Sequence, residues 1–362
     1  MKFIKFLKFI KAKVSNFMNF LLYELYKLIM IFVTGGTGFL GAHLLTELVK
    51  QPEPVSALKR AASITLNTEK LFAYKFGADG KTLFQKINWV EGDIMDPWSL
   101  SEAMKGANIV YHCAAEVDLR DDRPDSIITT AEKGTENLVN AALAIGIEKF
   151  CHVSSVAALG KPVEGDITEE NFEDFSFENS PYAIGKHLAE QQVWRAQAEG
   201  LKVVVVSPSI ILGPWSNLSN GSISMFTFID KMSKYYTGGI MGFVDVNDVV
   251  NIMLKLTATG PYNERFIANS ENLNFQDFFT AIAKGLNKPL PKTKLSNFTL
   301  KVFQKLNNAF SKQKISSTMV EHATEVHNFS HKKVQDAIHY TFIPVRETIA
   351  STAKFYLNER GR

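Results

Sequence analysis

The stretch that most constrains this chain is Ile31-Phe32-Val33-Thr34-Gly35-Gly36-Thr37-Gly38-Phe39-Leu40-Gly41. A short apolar run reads as a buried strand, glycines recur every third residue at Gly35, Gly38 and Gly41, and residues 42–50 carry apolar side chains at helical intervals. Strand, tight turn and helix opening succeed one another without a gap. The first glycine permits the turn, the second lets backbone approach a pyrophosphate, and the third lets the helix pack close on the strand. Free N–H groups and the macrodipole at the helix start favour negative charge there. A purely structural turn would use the same glycines, so the rest of the chain has to decide whether this is a dinucleotide cradle.

Beyond Lys50, strands and helices alternate. Strands are expected at 54–58, 87–90, 108–113, 150–154 and 201–207, and helices at 67–76, 97–105, 125–144 and 181–198. Asp96 before Pro97 is a helix start with a capping carboxylate and proline in the first turn. The alternation calls for an α/β, Rossmann-like, doubly wound parallel sheet with right-handed crossovers. Past Pro214 it loosens: helices are expected at 222–235, 247–256, 274–286, 296–309 and 345–357, with a short strand at 243–246. The expected organisation is therefore an extension at 1–29, a dinucleotide-binding domain with the catalytic residues at 30–213, and a smaller, mainly helical substrate lobe at 214–362. Some elements of that lobe return to the sheet.

Of the 362 residues, 46% are hydrophobic and 21% charged, as in an ordinary globular protein, and a net charge of +3 is too small to argue for nucleic acid. Much of that charge lies in residues 1–29, where six lysines face Glu24 alone and alternate with Phe3, Phe6, Phe9, Phe17 and Phe20. The segment has no small-residue cleavage site and no unbroken apolar run long enough to span a bilayer. It reads as a basic amphipathic helix on an acidic membrane surface or, the favoured reading, as an extension ahead of a native start at Met30. Membrane contact is expected only in the first case. The two cysteines, Cys113 and Cys151, form no disulfide framework or zinc-ligand spacing, so a cytoplasmic protein without a metal site is expected.

Tyr182 and Lys186 stand four residues apart, on one face of an expected helix. An ammonium beside a phenol would lower its pKa and make it a proton donor and acceptor near neutral pH. The spacing alone is weak, since Tyr23 and Lys27 share it. Val153-Ser154-Ser155 strengthens it by ending a strand, which is where such sheets place ligands. About twenty residues beyond the glycine turn, an NAD site would place an acid against the ribose. Here Lys59-Arg60 end the second strand instead, which suits a 2′-phosphate. NADP(H) is thus favoured over NAD(H), although two such cations would also suit a solvated loop.

Together these residues carry a resemblance. Thr34 to Gly41, Gly92-Asp93-Ile94, His112-Cys113-Ala114-Ala115, Ser154-Ser155, Tyr182-x-x-x-Lys186 and Ser207-Pro208-Ser209 stand in the order and rough spacing of the extended short-chain dehydrogenase/reductases. The chain most resembles the NAD-dependent epimerase/dehydratase group and its dihydroflavonol-4-reductase-like branch, through residues 153–160 and 243–250. The resemblance implies a proton-moving Tyr182, a Lys186 that binds the nicotinamide ribose, and Ser155, five residues before Gly160, as the hydroxyl that polarises substrate. It implies a cofactor lying against Gly35, Thr37, Gly38, Phe39, Leu40, Gly41, Lys59, Arg60, Asp93, Ile94, Ala114, Ala115, Val153 and Pro208. A homodimer through the helix carrying Tyr182 is implied as well. Two residues depart from the pattern: Ala131 replaces an asparagine that typically supports the proton relay, and Gly185 replaces the more usual Ser or Ala.

Three readings of function stay open. The first is an NADP(H)-dependent reductase of a small carbonyl compound, the second a nucleotide-sugar epimerase or dehydratase with retained NAD, and the third a non-catalytic dinucleotide sensor. Met225, Phe226, Phe228, Tyr235 and Tyr236 suit an aromatic substrate wall or, more simply, core. Glu116 and Asp118 suit a polar ligand or a solvated loop, and His112 reads as a core residue.

Overall fold

The computed structural model describes residues 29–116, 124–171 except 161 and 163, 180–310 except 220, 320, and 323–361. The expectations for residues 1–28 and for Asp118 lie outside them. The first half of the chain runs β1 (Met30–Thr34), α1 (Phe39–Leu48), β2 (Val55–Lys59), α2 (Leu66–Phe76), α3 (Gly80–Phe84), β3 (Ile87–Glu91), α4 (Pro97–Ala103), β4 (Ala107–His112), α5 (Pro124–Ile145) and β5 (Lys149–Val153). Next come α6 (Pro181–Ala198), β6 (Lys202–Pro208), β7 (Ile210–Leu212), α7 (Ile223–Met232), β8 (Tyr235–Tyr236), β9 (Ile240–Asp245), α8 (Val246–Thr259), β10 (Glu264–Ala268) and β11 (Glu271–Asn274). The chain closes with α9 (Phe275–Gly285), β12 (Thr293–Lys294), α10 (Asn297–Phe310), α11 (Lys332–Ile338) and α12 (Val345–Arg360).

Seven strands form one all-parallel sheet in the order β10-β6-β5-β4-β1-β2-β3. Both faces are covered, which explains why its strands read as nearly continuous apolar runs. Ile31, Val33, Val55, Cys151, Val204 and Val206 pack under α1 and α8. Phe32, Val110, Phe150, Val203 and Val205 pack on the other face under α5 and α6. The order reverses between β1 and β4, so a crevice opens at the carboxyl ends of these two strands.

A second apolar cluster joins β9 to α7, α9 and α12, with the Phe243 and Phe278 rings stacked 4.1 Å apart. Phe226 lies in that core and Met225 packs against it, whereas Phe228 and Tyr235 face outward. The carboxylates of Asp245 and Asp248 tie down the C-terminal segment. Asp248 accepts from Tyr340 Oη at 2.8 Å and Ile343 N at 3.0 Å, and Asp245 accepts from Thr348 Oγ1 at 2.7 Å. Burial pushes the Asp248 carboxyl up to about 6 against the pull of those two donors.

Several boundaries differ from expectation. α1 begins at Phe39 rather than Ala42, because extended Gly38 already ends the turn. α7 stops at Met232, and Tyr235–Tyr236 pair instead with Thr293–Lys294. α3, α11, β7, β10, β11 and β12 have no counterpart among the elements expected from the sequence. Most consequential is β10, which returns from the C-terminal part of the chain to complete the large sheet beside β6. Among the described residues no helix is long and apolar enough to cross a membrane.

Candidate active site

The glycine turn brings backbone to the crevice. Gly35 has φ +74°, and a Cβ there would stand 2.6 Å from Ala114 N. Gly41 is required by a contact different from the expected one: its absent Cβ would meet Gly35 O at 2.2 Å, so it packs on the turn itself rather than on the strand. Gly38 is exposed, N-caps α1 without any side-chain bond, and donates its N–H to Gly35 O at 2.9 Å. Thr37, Phe39 and Leu40 surround this uncapped helix start, which leaves room and donors for an anion. A pyrophosphate-bearing cofactor fits these residues.

Beside the turn is a cavity of about 380 Å³ lined by Thr37, Arg60, Ala62, Ser63 and Ile64. Lys59, named with Arg60 from the sequence, does not line it. It ends β2, and its carbonyl accepts Gly92 N at 3.0 Å. Asp93 comes just after β3, with Oδ1 accepting Met95 N at 3.0 Å. The Ile94 side chain fills the space that a Cβ on Gly134 would need, and its carbonyl accepts Asn137 Nδ2 at 3.0 Å. Ala114 and Ala115 come after β4, and Ala114 N donates to Thr34 Oγ1 at 3.2 Å. Glu116 is half-buried just beyond.

The other wall is built by β5 and α6. Ser180 caps α6, its side chain accepting Ala183 N, and Pro181 fills the first turn. Tyr182, one residue later, comes beside the Ser155 side chain, whose hydroxyl acts to hold the phenol down. Ser155 Oγ also accepts Ala157 N at 3.1 Å, which fixes its rotamer. Lys186 is 6% exposed, and its Nζ donates to Val153 O at 2.7 Å. Burial draws this ammonium down to about 8, opposed by Cys113 and Glu190. Burial pushes the Tyr182 phenol up, and the nearby Ser155 hydroxyl offsets only part of that. From spacing alone the ammonium is expected to lower the phenol. Here Lys186 is spent on a strand carbonyl and desolvation dominates. Ser154, by contrast, turns away and donates to Glu190. Pro208 is buried at the end of β6.

His112 is a fully bonded interior residue. Its Nδ1 lies 2.7 Å from Thr34 Oγ1 and its Nε2 lies 3.1 Å from Thr135 Oγ1, which itself donates to Ala131 O. Because the Thr135 proton is committed, the consistent tautomer carries its proton on Nε2 and accepts at Nδ1. Burial holds this imidazole neutral, with a pKa near about 3. The two departures from the family pattern meet in space: a Cβ on Gly185 would stand 3.1 Å from the Ala131 Cβ. The helical glycine thus lets α6 approach α5 closely, for which helix propensity gave no clue.

Sequence reasoning missed Glu190 and Arg265. They form a buried ion pair beside Ser154, and Trp194 Nε1 reaches the same carboxylate at 3.4 Å. Glu190 lies four residues beyond Lys186, a spacing that could have drawn attention to it, but its partner on β10 has no sequence signal. Among the described residues no group of three or more His, Cys, Asp or Glu side chains could hold a metal ion.

The sequence pattern of the NAD dependent epimerase/dehydratase family matches residues 31–267, spanning the glycine turn, the Tyr182–Lys186 helix and β10. The chain belongs to that family. It is 30% identical over 274 residues to a Synechocystis protein bearing the provisional name dihydroflavonol 4-reductase, covering 72% of this chain and 74% of that one. It is 25% identical to cinnamoyl-CoA reductase 1 of Petunia hybrida, over 92% and 93% of the two chains. The solved structure of DesIV, a dTDP-glucose 4,6-dehydratase from Streptomyces venezuelae with NAD and TYD bound, superposes with a TM-score of 0.72. That likeness covers 92% of this chain and 98% of DesIV at 19% identity, and it is one of fold. This family member is an NAD(P)-dependent oxidoreductase of the extended short-chain dehydrogenase/reductase type.

Proposed function

We propose that the protein is an NADP(H)-dependent reductase acting on the carbonyl, or in reverse the alcohol, of a small organic substrate. The observation that carries this reading is the placement of Ser155 beside Tyr182 past the end of β5, with Lys186 anchored to Val153 O one helical turn away. The dinucleotide would be held by the turn from Gly35 to Gly41, by Asp93 and Ile94 at its adenine end, and by Ala114, Ala115, Val153 and Pro208 along its length. Its nicotinamide supplies or accepts the hydride. Arg60, on the cavity wall, would hold a 2′-phosphate.

In the reductive direction, Ser155 Oγ–H orients the substrate oxygen and Tyr182 Oη donates the proton as that oxygen gains charge. The raised phenol suits this direction, because it stays protonated at neutral pH. The Lys186 ammonium, when protonated, stabilises the phenolate left behind and binds the nicotinamide ribose. Its value of about 8 places the loss of this charge at mildly alkaline pH. Residues 214–362, apart from α8 and β10, would form most of the substrate lobe. We place the protein in the cytoplasm, and a homodimer through α6 belongs to the same reading.

A fluorescence titration with NADPH and NADH, and then assay against a panel of aromatic and aliphatic aldehydes and ketones, tests the proposal. Tighter NADPH binding is expected, with turnover that Tyr182→Phe abolishes while binding survives. Stoichiometric NAD in the purified protein would point instead to an epimerase or dehydratase. NADPH binding without turnover, unchanged in Tyr182→Phe, would point to a sensor.

A further inference from the structure

The proposed mechanism makes no use of Glu190 and Arg265, although the pair is buried against it. Glu190 is 1% exposed and lies one turn beyond Lys186 and two beyond Tyr182, on the same stripe of α6. Its carboxylate joins three elements: it accepts from Ser154 Oγ past the end of β5, from the Arg265 guanidinium on β10, and from Trp194 Nε1 on its own helix. One turn earlier Lys186 Nζ is bonded to Val153 O. Consecutive residues Val153 and Ser154 are therefore tied to successive turns of α6, and the next residue, Ser155, meets Tyr182. Packing on the sheet and on α5 already holds the helix, and two ties one turn apart add a polar constraint on its rotation and height at the site.

We infer that the Glu190–Arg265 pair is a positioning device that aligns α6 with β5 so that Ser155 and Tyr182 meet, and that makes this alignment depend on β10 being seated in the sheet. Stability alone does not explain such a pair. Desolvating two charges costs about as much as their attraction returns, and well-packed apolar residues often serve buried positions equally well. Arg265 also reaches Glu169 O at 3.4 Å, and the Glu169 carboxylate accepts Ile267 N at 2.8 Å, so the chain before α6 helps to seat β10 as well. The last strand to join the seven-stranded sheet thereby reports its docking to the catalytic helix.

The inference rests on the proposed reading of Tyr182 and Lys186 as the proton-handling pair, and its test uses charge sign to separate positioning from bulk stability. The groups facing Lys186 are Cys113 beyond β4, the neutral imidazoles of His112 on β4 and His152 on β5, and Glu190 on α6. Arg265 on β10 lies behind Glu190. Glu190→Gln removes a negative charge beside Lys186 and takes the Glu190 carboxylate away from the Arg265 cation behind it, so Lys186 must lose its proton at lower pH. The alkaline limb of NADPH or NADH binding, and of turnover, is expected to move down by on the order of one pH unit. kcat is expected to fall about tenfold or more, as small misplacements of catalytic groups do. Adding Arg265→Met removes the cation as well, so in the double variant the limb returns towards the wild-type position while kcat stays low.

An unmoved limb in Glu190→Gln, or a limb that the second substitution fails to bring back, would overturn the inference and leave the pair a structural one. Should Glu190→Gln alone not fold, Arg265→Lys keeps the charge but loses the guanidinium fork, and it must lower kcat with the limb in place. Wild-type protein that binds neither dinucleotide would be a different result, because it would sink the proposed function together with the inference.

Discussion

Replacing Arg60 with alanine gives the sharpest check on how the cofactor is chosen. Arg60 is exposed on the wall of the cavity beside the glycine turn, with Thr37 and Ser63 as the other polar lining residues. A guanidinium holding a 2′-phosphate makes charge-assisted bonds worth about 1.5–3 kcal/mol. Solvent reaches this side chain, so screening favours the lower end, about 1.5 kcal/mol or roughly tenfold in Kd. Arg60→Ala is therefore expected to weaken NADPH about tenfold and NADH less than about twofold. Lys59→Ala should cost NADPH less than about threefold, because Lys59 does not line the cavity. Fluorescence titrations at low and high salt read both effects, and raising the salt should narrow the NADPH advantage of the wild type. Equal losses for the two dinucleotides would mean that Arg60 acts by holding the loop, and a larger loss at Lys59 would refute the placement of the phosphate.

Contacts elsewhere lead to three more expected outcomes. Gly41→Ala places a methyl 2.2 Å from Gly35 O, so it is expected to destabilise the fold by about 1–3 kcal/mol and to weaken dinucleotide binding. Unaltered melting and titration curves would show that the turn yields to the added methyl. Gly185→Ala should gain less than the roughly 1 kcal/mol that an open helical position would yield, because the new methyl meets Ala131 Cβ at 3.1 Å. A full gain in thermal or urea unfolding would mean that α5 gives way freely. Asp248 titrates near about 6 in the fold against 3.8 for the ordinary carboxyl. The folded state thus holds this proton more tightly than the unfolded chain. The resulting stability is complete below about 4 and is lost as pH rises through about 6. The difference in unfolding free energy between wild type and Asp248→Asn should change across that window and be flat above it, whereas a flat difference throughout would remove the effect.

The sequence by itself determined the strand–turn–helix opening, the alternation that makes the sheet parallel, and the residue types of the candidate site, because each of these is local. Backbone freedom at Gly35, apolar periodicity, and an i, i+4 pair such as Tyr182 and Lys186 depend on neighbours within one or two turns of chain. What only the tertiary structure decided depends on residues far apart in sequence. Helix boundaries at α1 and α7 shifted because Gly38 closes the turn and Tyr235–Tyr236 find strand partners near residue 293. The sign of the shift at Tyr182 reversed, since burial and the diversion of Lys186 to Val153 O outweigh a pairing that spacing alone suggests. Gly185 acquired its reason only when α5 was laid against it. Arg265 became part of the site only when β10 returned to the sheet, because a buried ion pair joins residues 75 positions apart and leaves no periodic trace in the chain.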